Sequence, residues 1–466
     1  MKIVMKFGGT SVGNEKCISN VVKIIKKSYD SGDKIAVVVS AMTGVTDQLI
    51  SITNEIINPN SPDTLIDKFI NELKERHLKV LEIVAPDHIN DISKYLDSRL
   101  NKLSSILSAV QCTHEITPRY RDYIISFGER LSAPIVSAAL LQSGIPSSYI
   151  SGCKAGIITD DVHNGATALP ESYPLIQDRI GRLIQTQVPV IMGYMGCTKE
   201  GFVTTLGRSG SDYSGAIIGA GIDADEIIIW TDVDGVMTTD PRVIPEARVI
   251  KSISFIEMME MSYFGAKVIH PRALVPAMKK NIMVRVKNTF NPECPGTTVI
   301  KEPHADKRVV KAISLIENSC LVTVSGTSMA GKPGVAGEIF TKLAESGVNV
   351  MLISQGSSEM TIALVISEDQ LPAAITSLSN VKNRGLIKNF EYNRDISVVS
   401  VVGMGMSGTY GTLGRIFQCM GKNEINVIML SQGSEVNISF VVKQSDGIKA
   451  IKAIHNEYHL ELEDEE

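Results

Sequence analysis

The chain has 466 residues, 44% of them hydrophobic, and its 46 Lys plus Arg against 51 Asp plus Glu leave a formal net charge of −5. This length predicts two or three domains, and the near balance of charge argues against a nucleic-acid partner or an anionic membrane. The seven cysteines form no CxxC pair and no apolar run approaches the roughly 20 residues of a spanning helix, so we expect reduced thiols and a cytoplasmic protein.

The first predicted elements are a strand, a glycine turn and a helix. An apolar run at 3–5 precedes the turn KFGGTS at 6–11, and apolar residues then recur at helical spacing over 18–29. Adjacent glycines let a ligand approach the backbone, and free N–H groups at a helix entrance attract anions. Because Lys6 adds a positive charge, the turn is a candidate phosphate site, with an ordinary tight turn as the alternative.

Up to about residue 300, short apolar runs alternate with helical stretches. The near-continuous apolar runs at 35–39, 188–192 and 226–230 are typical of strands buried on both faces of a mostly parallel sheet. The segment 61–109 is helix-like throughout, which indicates a helical insertion. Prolines crowd the stretch that follows Asn291 and indicate a boundary, so the sequence predicts an α/β domain over 1–303.

An internal repeat follows this boundary. Ile339-Phe340 matches Ile416-Phe417, and the sequence SQGS recurs at 354–357 and 431–434, each pair at the same offset of 77 residues. Each copy predicts strand, glycine loop, helix, strand, strand and helix, so we expect two α+β modules over 309–393 and 394–466. A further predicted strand at 311–316 precedes the first module, and counting strands suggests that it completes the sheet of the second.

Two glycine motifs inside the repeat imitate nucleotide loops. GTSMAGK at 326–332 matches the opening of a Walker A loop, and GMGMSG at 403–408 matches the GxGxxG fingerprint. Pro333 stands where the Walker loop needs a Ser or Thr hydroxyl, and the repeat shows that both motifs are one loop of one module. We therefore reject both nucleotide interpretations and assign the loop to close approach of a ligand or a neighbouring chain.

Polar groups recur where strands of the α/β domain are predicted to end. Four segments have this character: 40–46, 127–130, 205–212 and 231–236. In an open α/β sheet the ligand crevice lies outside the carboxyl ends of the strands. Taken singly, Asp212 could only cap a helix over 213–220, and Glu129 could pair with Arg121 or Arg130. Together with the KFGGTS turn, the segments supply the cations, hydroxyls, glycine turns and acids that phosphoryl transfer needs.

Six segments are recognisable as an ordered set: KFGGTSV at 6–12, VVSAM at 38–42, SFGER at 126–130, TLGRSGSD at 205–212, WTDVDGVMTTDPR at 230–242 and AKVIHPR at 266–272. They closely resemble the aspartate kinases of the amino acid kinase superfamily, and the paired modules resemble the regulatory ACT domains of the same enzymes. The resemblance implies a mostly parallel central sheet between helices, followed by two ferredoxin-like ACT domains. It also leads us to expect no homoserine dehydrogenase domain after residue 466.

The resemblance implies transfer of the γ-phosphoryl group of MgATP to the β-carboxylate of L-aspartate, the first step of lysine, threonine and methionine biosynthesis. A carboxylate is already ionised near neutral pH, so the difficulty is to bring two anions together. Lys6 is then expected between the attacking carboxylate and the γ-phosphate, oriented by Asp212. Arg208 is expected to bind the substrate α-carboxylate, and Glu129 its ammonium group.

The remaining implied contacts divide between substrate and nucleotide. On the substrate side they are Ser40, Thr46, Tyr194 and Ser211. On the nucleotide side they are Gly8, Gly9, Thr10, Thr231, Asp232, Arg242 and Lys267, with Mg²⁺ ligands left unassigned. Two residues depart from the family pattern, since Ser209 replaces the first paired glycine and Met237 replaces a frequent tyrosine. Neither removes a charge, so both bear on nucleotide binding more than on the substrate site.

In this family the ACT modules bind an end-product amino acid, lysine or threonine, between modules of two chains. Gln355 and Gln432 occupy matching places in the repeat and resemble threonine-sensitive members, which favours threonine. The candidate effector contacts are Lys332, Val335, Asn349, Val350, Gln355, Asn426 and Gln432. We expect a homodimer through the ACT domains, with a tetramer open, and modules that only build a dimer are the alternative.

Two other functions stay open at this point. Another amino acid kinase would act on N-acetylglutamate, glutamate or UMP, but Glu129 beside Arg208 favours a free amino acid because an acetylated amine needs no acid partner. A non-catalytic amino-acid sensor with a decayed kinase half is the alternative from another class. The intact charged residues Lys6 and Asp212 weigh against it.

Overall fold

The computed structural model describes residues 1–263, 269–302, 308–327 and 329–462. The chain forms two compact units, which are not contiguous in sequence. Within the described residues, unit 1 comprises 1–236, 251–255 and 269–302, and unit 2 comprises 237–250, 256–263 and the residues from 308 onward. The domain over 1–303 stays a prediction, and the segments 237–250 and 256–263 within it pack with the repeated modules.

The centre of unit 1 is an eight-stranded sheet. The strands of this unit are β1 (Lys2–Phe7), β2 (Lys34–Val39), β3 (Ser147–Ser151), β4 (Val188–Met192), β5 (Met195–Cys197), β6 (Val203–Thr205), β7 (Glu226–Thr231), β8 (Ser252–Ser254), β9 (Met283–Asn288) and β10 (Thr297–Ile300). The sheet order is β3-β4-β2-β1-β7-β9-β10-β8, and β5 and β6 form a separate hairpin. Within the sheet only β9 and β10 pair antiparallel, so the predicted mostly parallel sheet is confirmed.

Helices cover this sheet. They are α1 (Glu15–Asp30), α2 (Val45–Glu55), α3 (Leu65–Val84), α4 (Ile89–Thr113), α5 (Pro118–Ile125), α6 (Phe127–Gln142), α7 (Gly152–Ala155), α8 (Ser172–Leu183), α9 (Gly210–Gly221) and α11 (Pro271–Lys280). Helix α10 (Phe255–Tyr263) begins at the last residue of the 251–255 segment and otherwise belongs to unit 2. The predicted insertion at 61–109 forms α3 and α4. The chain breaks between them at Ala85-Pro86, because the residue before a proline disfavours helical geometry.

The stretch Pro118–Gln142, which contains α5 and α6, is the one segment of the described chain long and apolar enough to cross a membrane by length and composition alone. Inside the protein, 89% of its most apolar window is buried. Phe127 and Leu131, for example, are fully enclosed. The stretch is therefore accounted for as the core helix pair of unit 1.

One histidine in the helical insertion is completely enclosed. The Nδ1 atom of His77 lies 2.7 Å from the carbonyl oxygen of Leu73, and its Nε2 atom has no hydrogen-bond partner within the described residues. Burial lowers the pKa of His77 from 6.5 to about 4. The folded protein therefore resists the protonation that the unfolded chain accepts near pH 6.5.

We expect acid to destabilise the protein through His77. Its folded pKa lies below its unfolded pKa, so its contribution is complete above pH 6.5 and is lost as pH falls towards 4. Between pH 7 and pH 5 this amounts to about 2 kcal/mol of unfolding free energy, from 1.36 kcal/mol per pKa unit. Urea denaturation of the wild type and His77→Leu at both pH values measures it. Equal pH dependence in the two proteins would contradict the assignment.

Unit 2 contains the repeated modules. Its strands are β11 (Ala312–Ile316), β12 (Ser319–Ser325), β13 (Val350–Gln355), β14 (Thr361–Ser367), β15 (Asn389–Asn393), β16 (Ile396–Val402), β17 (Val427–Ser434) and β18 (Asn437–Lys443), and its module helices are α12 (Val335–Glu345), α13 (Leu371–Asn383), α14 (Thr412–Lys422) and α15 (Gly447–Glu457). They form two antiparallel sheets, β13-β14-β12-β15 and β11-β16-β18-β17. Strand β11 thus pairs with β16 of the second module, which is the pairing that the strand count predicts.

The two short segments that join unit 2 are held there by specific contacts. The side chain of Ile244 is buried in the core of the second module. The backbone N–H of Ile313 donates to the carbonyl oxygen of Thr238 at 2.8 Å. On α10, Glu257 is completely buried and lies 3.3 Å from the ammonium group of Lys311. Apolar burial and a buried ion pair therefore explain why the domain boundary cannot follow the chain order.

Candidate active site

The glycine turn follows β1 and leads into a short 3-10 turn at Thr10–Val12. The N–H of Gly8 donates to the carbonyl oxygen of Trp230 at 3.1 Å, so it is not free, contrary to the prediction. Across the residues that the structure describes, the N–H groups of Gly9 and Thr10 have no partner. A Cβ atom on Gly9 would lie 3.1 Å from the carbonyl oxygen of Ala41. Glycine therefore allows this close approach, and two amides remain to receive an anion.

A buried ion pair lies beside the turn. The Nζ atom of Lys6 on β1 is 2.5 Å from Oδ1 of Asp212 on α9, and the two side chains are 9% and 8% exposed. A Cβ atom on Gly215 would come within 3.2 Å of the Lys6 Cβ, so a glycine lets α9 pack directly against the lysine. Asp212 lies in the first turn of a helix that already begins at Gly210. The structural alternative that Asp212 only caps a helix over 213–220 is therefore wrong.

The loop that carries Arg208 has a left-handed backbone on both sides of it. Gly207 has φ of 76° and Ser209 has φ of 52°. Glycine adopts this region freely, whereas a serine there is strained by roughly 1 kcal/mol or more. The departure at Ser209 thus falls at a position where the backbone geometry favours glycine. Arg208 itself is exposed. The pKa of His270 is lowered mainly by the burial of His270 and, second, by the positive charge of Arg208.

Glu129 is a buried carboxyl group that forms no salt bridge with the described residues. On α6 it is 2% exposed, its Oε1 atom accepts from the N–H of Ala41 at 3.0 Å, and Oε2 has no hydrogen-bond partner among the described residues. Burial raises its pKa from 4.5 to about 8. Arg130 instead donates to Ser126, and Arg121 donates to Asn54, so the alternative that Glu129 only pairs with one of these arginines is wrong. The site holds a carboxyl group that a bound cation would ionise.

The other predicted substrate residues lie at the carboxyl ends of the parallel strands or at helix starts. Ser40 follows β2, and its carbonyl oxygen accepts from Ser132 at 2.7 Å. Thr46 lies half-buried in the first turn of α2. Ser211 is buried in the first turn of α9, where a Cβ on Gly193 would lie 3.1 Å from the Ser211 Cβ. Strands β1, β2 and β4 are neighbours in the sheet, so their ends meet at one edge.

Tyr194 occupies the short link between β4 and β5. Its φ of 66° is held by a hydrogen bond from its N–H to Ser214 Oγ at 3.0 Å. A Cβ on Gly210 would lie 2.6 Å from the Tyr194 ring, so this ring packs on the start of α9. Burial raises the pKa of Tyr194 to about 12, and the charge of Glu129 adds to the rise. Tyr194 is therefore a neighbour of Glu129, as a pocket-lining residue should be.

The predicted nucleotide residues are not all brought together. Thr231 ends β7, and its hydroxyl donates to Asp232 at 3.2 Å. Arg242 belongs to unit 2, is 88% exposed and binds Asp240 with both ends of its guanidinium group, at 3.0 Å (Nε to Oδ1) and 2.6 Å (Nη2 to Oδ2). Lys267 lies outside the described residues. Of these four predicted residues, only Thr231 and Asp232 therefore lie with the glycine turn in the described part of unit 1.

Sequence reasoning missed Arg76 and Thr289 near the turn, and it noted Thr43 and Ser11 only as members of their segments. Arg76 on α3 donates to the carbonyl oxygen of Thr43 at 2.8 Å, and the Thr43 hydroxyl donates to Gly9 O at 2.9 Å. The hydroxyl of Ser11 lies 2.7 Å from that of Thr289. Arg76 is one of many charged residues on an amphipathic helix, and nothing in the neighbouring sequence distinguishes it from the others. These contacts connect the glycine turn to the helical insertion and to the residue that follows β9.

The predicted effector residues lie in unit 2 at two separate ends of the module strands. Lys332 is exposed before α12, and Val335 is buried at its first position. Asn349 precedes β13, and Gln355 ends it, so about 20 Å of extended chain separates them within one module. A single amino acid cannot contact both through one copy of β13. In the second module Asn426 precedes β17, Gln432 lies within it, and both are exposed, whereas Val350 starts β13 half-buried.

The residues beside the turn suit a metal ion that arrives with a nucleotide. Within the described ranges, no group of three or more His, Cys, Asp or Glu side chains could hold a metal ion. Mg²⁺ in phosphoryl-transfer sites is commonly held by substrate phosphates with one or two carboxylates. Asp212, which pairs with Lys6, and Asp232, which follows β7, are carboxylates near the glycine turn. This donor set fits nucleotide-borne Mg²⁺ and does not fit a cage built from protein alone.

Comparison with family models matches both halves of the chain. The model of the Amino acid kinase family matches residues 1–288. The ACT domain model matches residues 322–381 and 399–458. The first match contains the phosphate turn and the Lys6–Asp212 pair, and the other two coincide with the copies of the repeat.

The related proteins are named as aspartokinases, some of them bifunctional with homoserine dehydrogenase. Aspartokinase 2, chloroplastic, of Arabidopsis thaliana is 30% identical over 465 residues, which cover 98% of this chain and 84% of the relative. Bifunctional aspartokinase/homoserine dehydrogenase 1, chloroplastic, of Zea mays is 33% identical over 471 residues, 98% of this chain and 50% of the relative. The chain thus spans about half the length of the bifunctional relatives that it matches.

The solved structure of E. coli aspartokinase III with aspartate and ADP, in the R-state, matches with a TM-score of 0.83 and 25% identity, covering 98% of this chain and 100% of that chain. The same enzyme with lysine and aspartate, in the T-state, matches with a TM-score of 0.80 and 26% identity, covering 98% and 99%. The glycine turn, the buried ion pair and the paired modules thus occur together in a chain that is similar to aspartokinases along nearly its whole length. The chain belongs to the aspartokinase family, within the amino acid kinase family.

Proposed function

We propose that this protein is an aspartate kinase, which transfers the γ-phosphoryl group of ATP to the β-carboxylate of L-aspartate and forms 4-phospho-L-aspartate. The main support is the buried Lys6–Asp212 ion pair beside a glycine turn, in which two backbone N–H groups have no partner in the part of the chain that the structure describes. Family membership supports the assignment, as does the aspartate and ADP complex of E. coli aspartokinase III. The lysine, threonine and methionine pathway and a cytoplasmic location belong to the same proposal.

The chain's own groups lower the electrostatic cost of joining two anions. Lys6 places its ammonium group where the attacking carboxylate and the γ-phosphate meet, and Asp212 fixes that group in position. The amides of Gly9 and Thr10 hold phosphate oxygens. Mg²⁺, carried by the nucleotide, would neutralise further phosphate charge. No residue needs to remove a proton, because the acceptor carboxylate is ionised at neutral pH.

Two charged groups select a free α-amino acid. Arg208 presents an exposed guanidinium group whose planar fork suits a carboxylate. Glu129 offers a buried carboxyl group with an unpartnered Oε2 atom, which suits an ammonium group. An N-acetylated substrate would leave Glu129 without a cation, so the pair disfavours acetylglutamate.

The raised pKa of Glu129 predicts a pH dependence of aspartate binding. The carboxyl group must ionise to pair with the substrate ammonium group, and its pKa of about 8 in the folded protein leaves it mostly protonated at neutral pH. We expect the KM for aspartate to fall by about tenfold between pH 6.5 and pH 8, since the ionised fraction rises nearly tenfold per unit below the pKa. The Glu129→Gln variant should show a higher KM that does not follow pH. A flat profile in the wild type would contradict the prediction.

A coupled assay of ADP release tests the proposed function. The purified chain is given MgATP with aspartate, glutamate or N-acetylglutamate, each with and without threonine or lysine. We expect turnover with aspartate and little with the other two acceptors. Absence of aspartate-dependent turnover, with amino-acid binding retained, would overturn the proposal in favour of an amino-acid sensor.

We also propose that the paired modules bind an inhibitory end-product amino acid, with threonine favoured over lysine. The matching positions of Gln355 and Gln432 support threonine, whereas the lysine complex of E. coli aspartokinase III keeps lysine open. The modules would also join two chains into a homodimer, and a tetramer remains an outcome of the same measurement. Size-exclusion chromatography with light scattering, repeated with each effector, tests the assembly.

A further inference from the structure

We propose that Asp122 and Arg272 are positioning residues that hold the backbone on which Arg208 stands, and thereby set the affinity for the substrate α-carboxylate. This inference rests on the proposed function, because it assigns Arg208 to that carboxylate. Neither residue belongs to the glycine turn or to the charged groups that face the substrate. The two act on a pair of neighbouring backbone segments, 163–167 and 204–207, called here the paired loops.

Asp122 binds the N–H side of the paired loops. It lies on α5, is completely buried, and accepts from the N–H of Thr205 at 3.0 Å and from its hydroxyl at 2.6 Å. The N–H of Asn164 donates to it at 3.1 Å, and Nδ1 of His163 lies 2.7 Å away. One carboxylate therefore joins both loops to the helix pair that carries Glu129. Burying it without these donors would cost several kcal/mol.

Arg272 binds the carbonyl side of the same loops. From α11 its Nη1 atom donates to the carbonyl oxygens of Gly165 at 2.9 Å and Leu206 at 3.4 Å. Its Nη2 atom donates to the carbonyl oxygen of Ala166 at 2.5 Å and to the hydroxyl of Thr167 at 2.9 Å. The planar guanidinium group thus spans both loops with four hydrogen bonds, which a lysine could not reproduce.

The paired loops are also joined directly. The N–H of Ala166 donates to the carbonyl oxygen of Thr205 at 3.0 Å. A Cβ atom on Gly207 would lie 2.9 Å from the carbonyl oxygen of Asn164, so the loops touch just before Arg208. The Asp122 carboxylate and the Arg272 guanidinium group therefore hold the paired loops through their N–H groups and their carbonyl oxygens, respectively. This arrangement fixes the chain as far as Gly207.

Arg208 needs such support because its own side chain is exposed and has no hydrogen-bond or ion-pair partner among the described residues. A bidentate contact with a carboxylate is sensitive to misplacement, and an error of about 1 Å can cost on the order of 100-fold in rate. The position of the Arg208 guanidinium group thus depends on the backbone that Asp122 and Arg272 hold. Both residues act through Arg208 and touch no substrate themselves.

Steady-state kinetics of Asp122→Asn tests the inference. The amide places a donor against N–H and O–H donors, and we expect the KM for aspartate to rise about tenfold, with the KM for ATP changed less than twofold. In an Arg208→Ala background the same substitution should leave the KM for aspartate nearly unchanged, since residues that act through one group are not additive. Asp160→Asn is the matched control, because Asp160 binds Thr167 N and Val162 N but not the 204–207 loop.

Limited trypsin digestion provides a readout that needs no activity. Cleavage after Arg208, followed by mass spectrometry, should be about tenfold faster in Asp122→Asn and in Arg272→Lys than in wild type, and unchanged in Asp160→Asn. Arg272→Lys serves if Asp122→Asn does not fold. Unchanged cleavage, or an equal rise of both KM values, would overturn the inference. An inactive wild type with protected Arg208 would instead overturn the proposed function and leave the loop-holding role supported.

Discussion

We expect replacement of Lys6 with alanine to lower kcat for phosphorylation of aspartate by about 1,000-fold while largely sparing aspartate binding. In the proposed mechanism Lys6 neutralises charge where the acceptor carboxylate and the γ-phosphate meet, and loss of one such group in a water-poor site costs about 100- to 1,000-fold or more. Binding should survive because the proposal assigns the α-carboxylate to Arg208 and the ammonium group to Glu129. Single-turnover kinetics with isothermal titration of aspartate measures the two effects separately.

The control for Lys6→Ala must account for its ion pair. Removing Lys6 leaves Asp212, whose side chain is 8% exposed, without its cation. The double variant Lys6→Ala with Asp212→Asn removes that unpaired charge, and we expect its kcat to remain as low as that of the single variant. Lys27→Ala, at a lysine 74% exposed on α1, should retain full activity. Recovery of activity in the double variant would show that the single variant failed through misfolding and not through lost chemistry.

We expect replacement of Lys311 with methionine to destabilise unit 2 by about 3 kcal/mol. The ammonium group of Lys311 lies 3.3 Å from Glu257 Oε2, and the two side chains are 3% and 0% exposed. The other oxygen of Glu257 accepts from the N–H of Met404 at 2.7 Å. Removing one partner of a buried ion pair leaves a charge that is poorly compensated, which costs about 3 to 5 kcal/mol.

Urea unfolding followed by circular dichroism measures this loss, and hydrogen exchange of β11 locates it. The double variant Glu257→Gln with Lys311→Met should regain at least half of the lost stability, because a neutral pair carries no unpaired buried charge. Lys342→Met is the surface control, since its bridge to Glu345 joins side chains that are 33% and 56% exposed. It should cost less than about 1 kcal/mol. Equal losses at the two lysines would contradict the prediction.

The confirmed sequence predictions concern local pattern. Near-continuous apolar runs at β2, β4 and β7 predicted a parallel sheet buried on both faces, and that sheet is present. The 77-residue repeat predicted two modules of equal element order, and the ACT matches at 322–381 and 399–458 confirm them. Both features can be recognised in a single sequence. Burial on both faces of a strand gives a continuous apolar run, and a repeat gives matching residues at a fixed offset.

The corrected predictions all depend on distant partners. Gly8 was expected to have a free N–H, but Trp230 on the neighbouring strand accepts it. The alternative that Asp212 only caps a helix is wrong, and packing of α9 against β1 instead pairs it with Lys6, as the family resemblance implies. Segments 237–250 and 256–263 were placed in the first domain by chain order, although their buried contacts belong to unit 2. A local pattern does not encode which partner an N–H or a carboxylate meets after the sheet closes.

The amino-acid sequence alone determined the order and type of the elements, the position of the glycine turn, the repeat and the resemblance to aspartate kinases. It did so because periodicity, turn residues and motif order are short-range properties of the chain. Only the tertiary structure decided the other partners: Gly8 with Trp230, Glu129 with no salt bridge among the described residues, and Asp122 with the paired loops. These long-range contacts contribute strongly to stability because a charge that is removed from water costs free energy unless a partner compensates it.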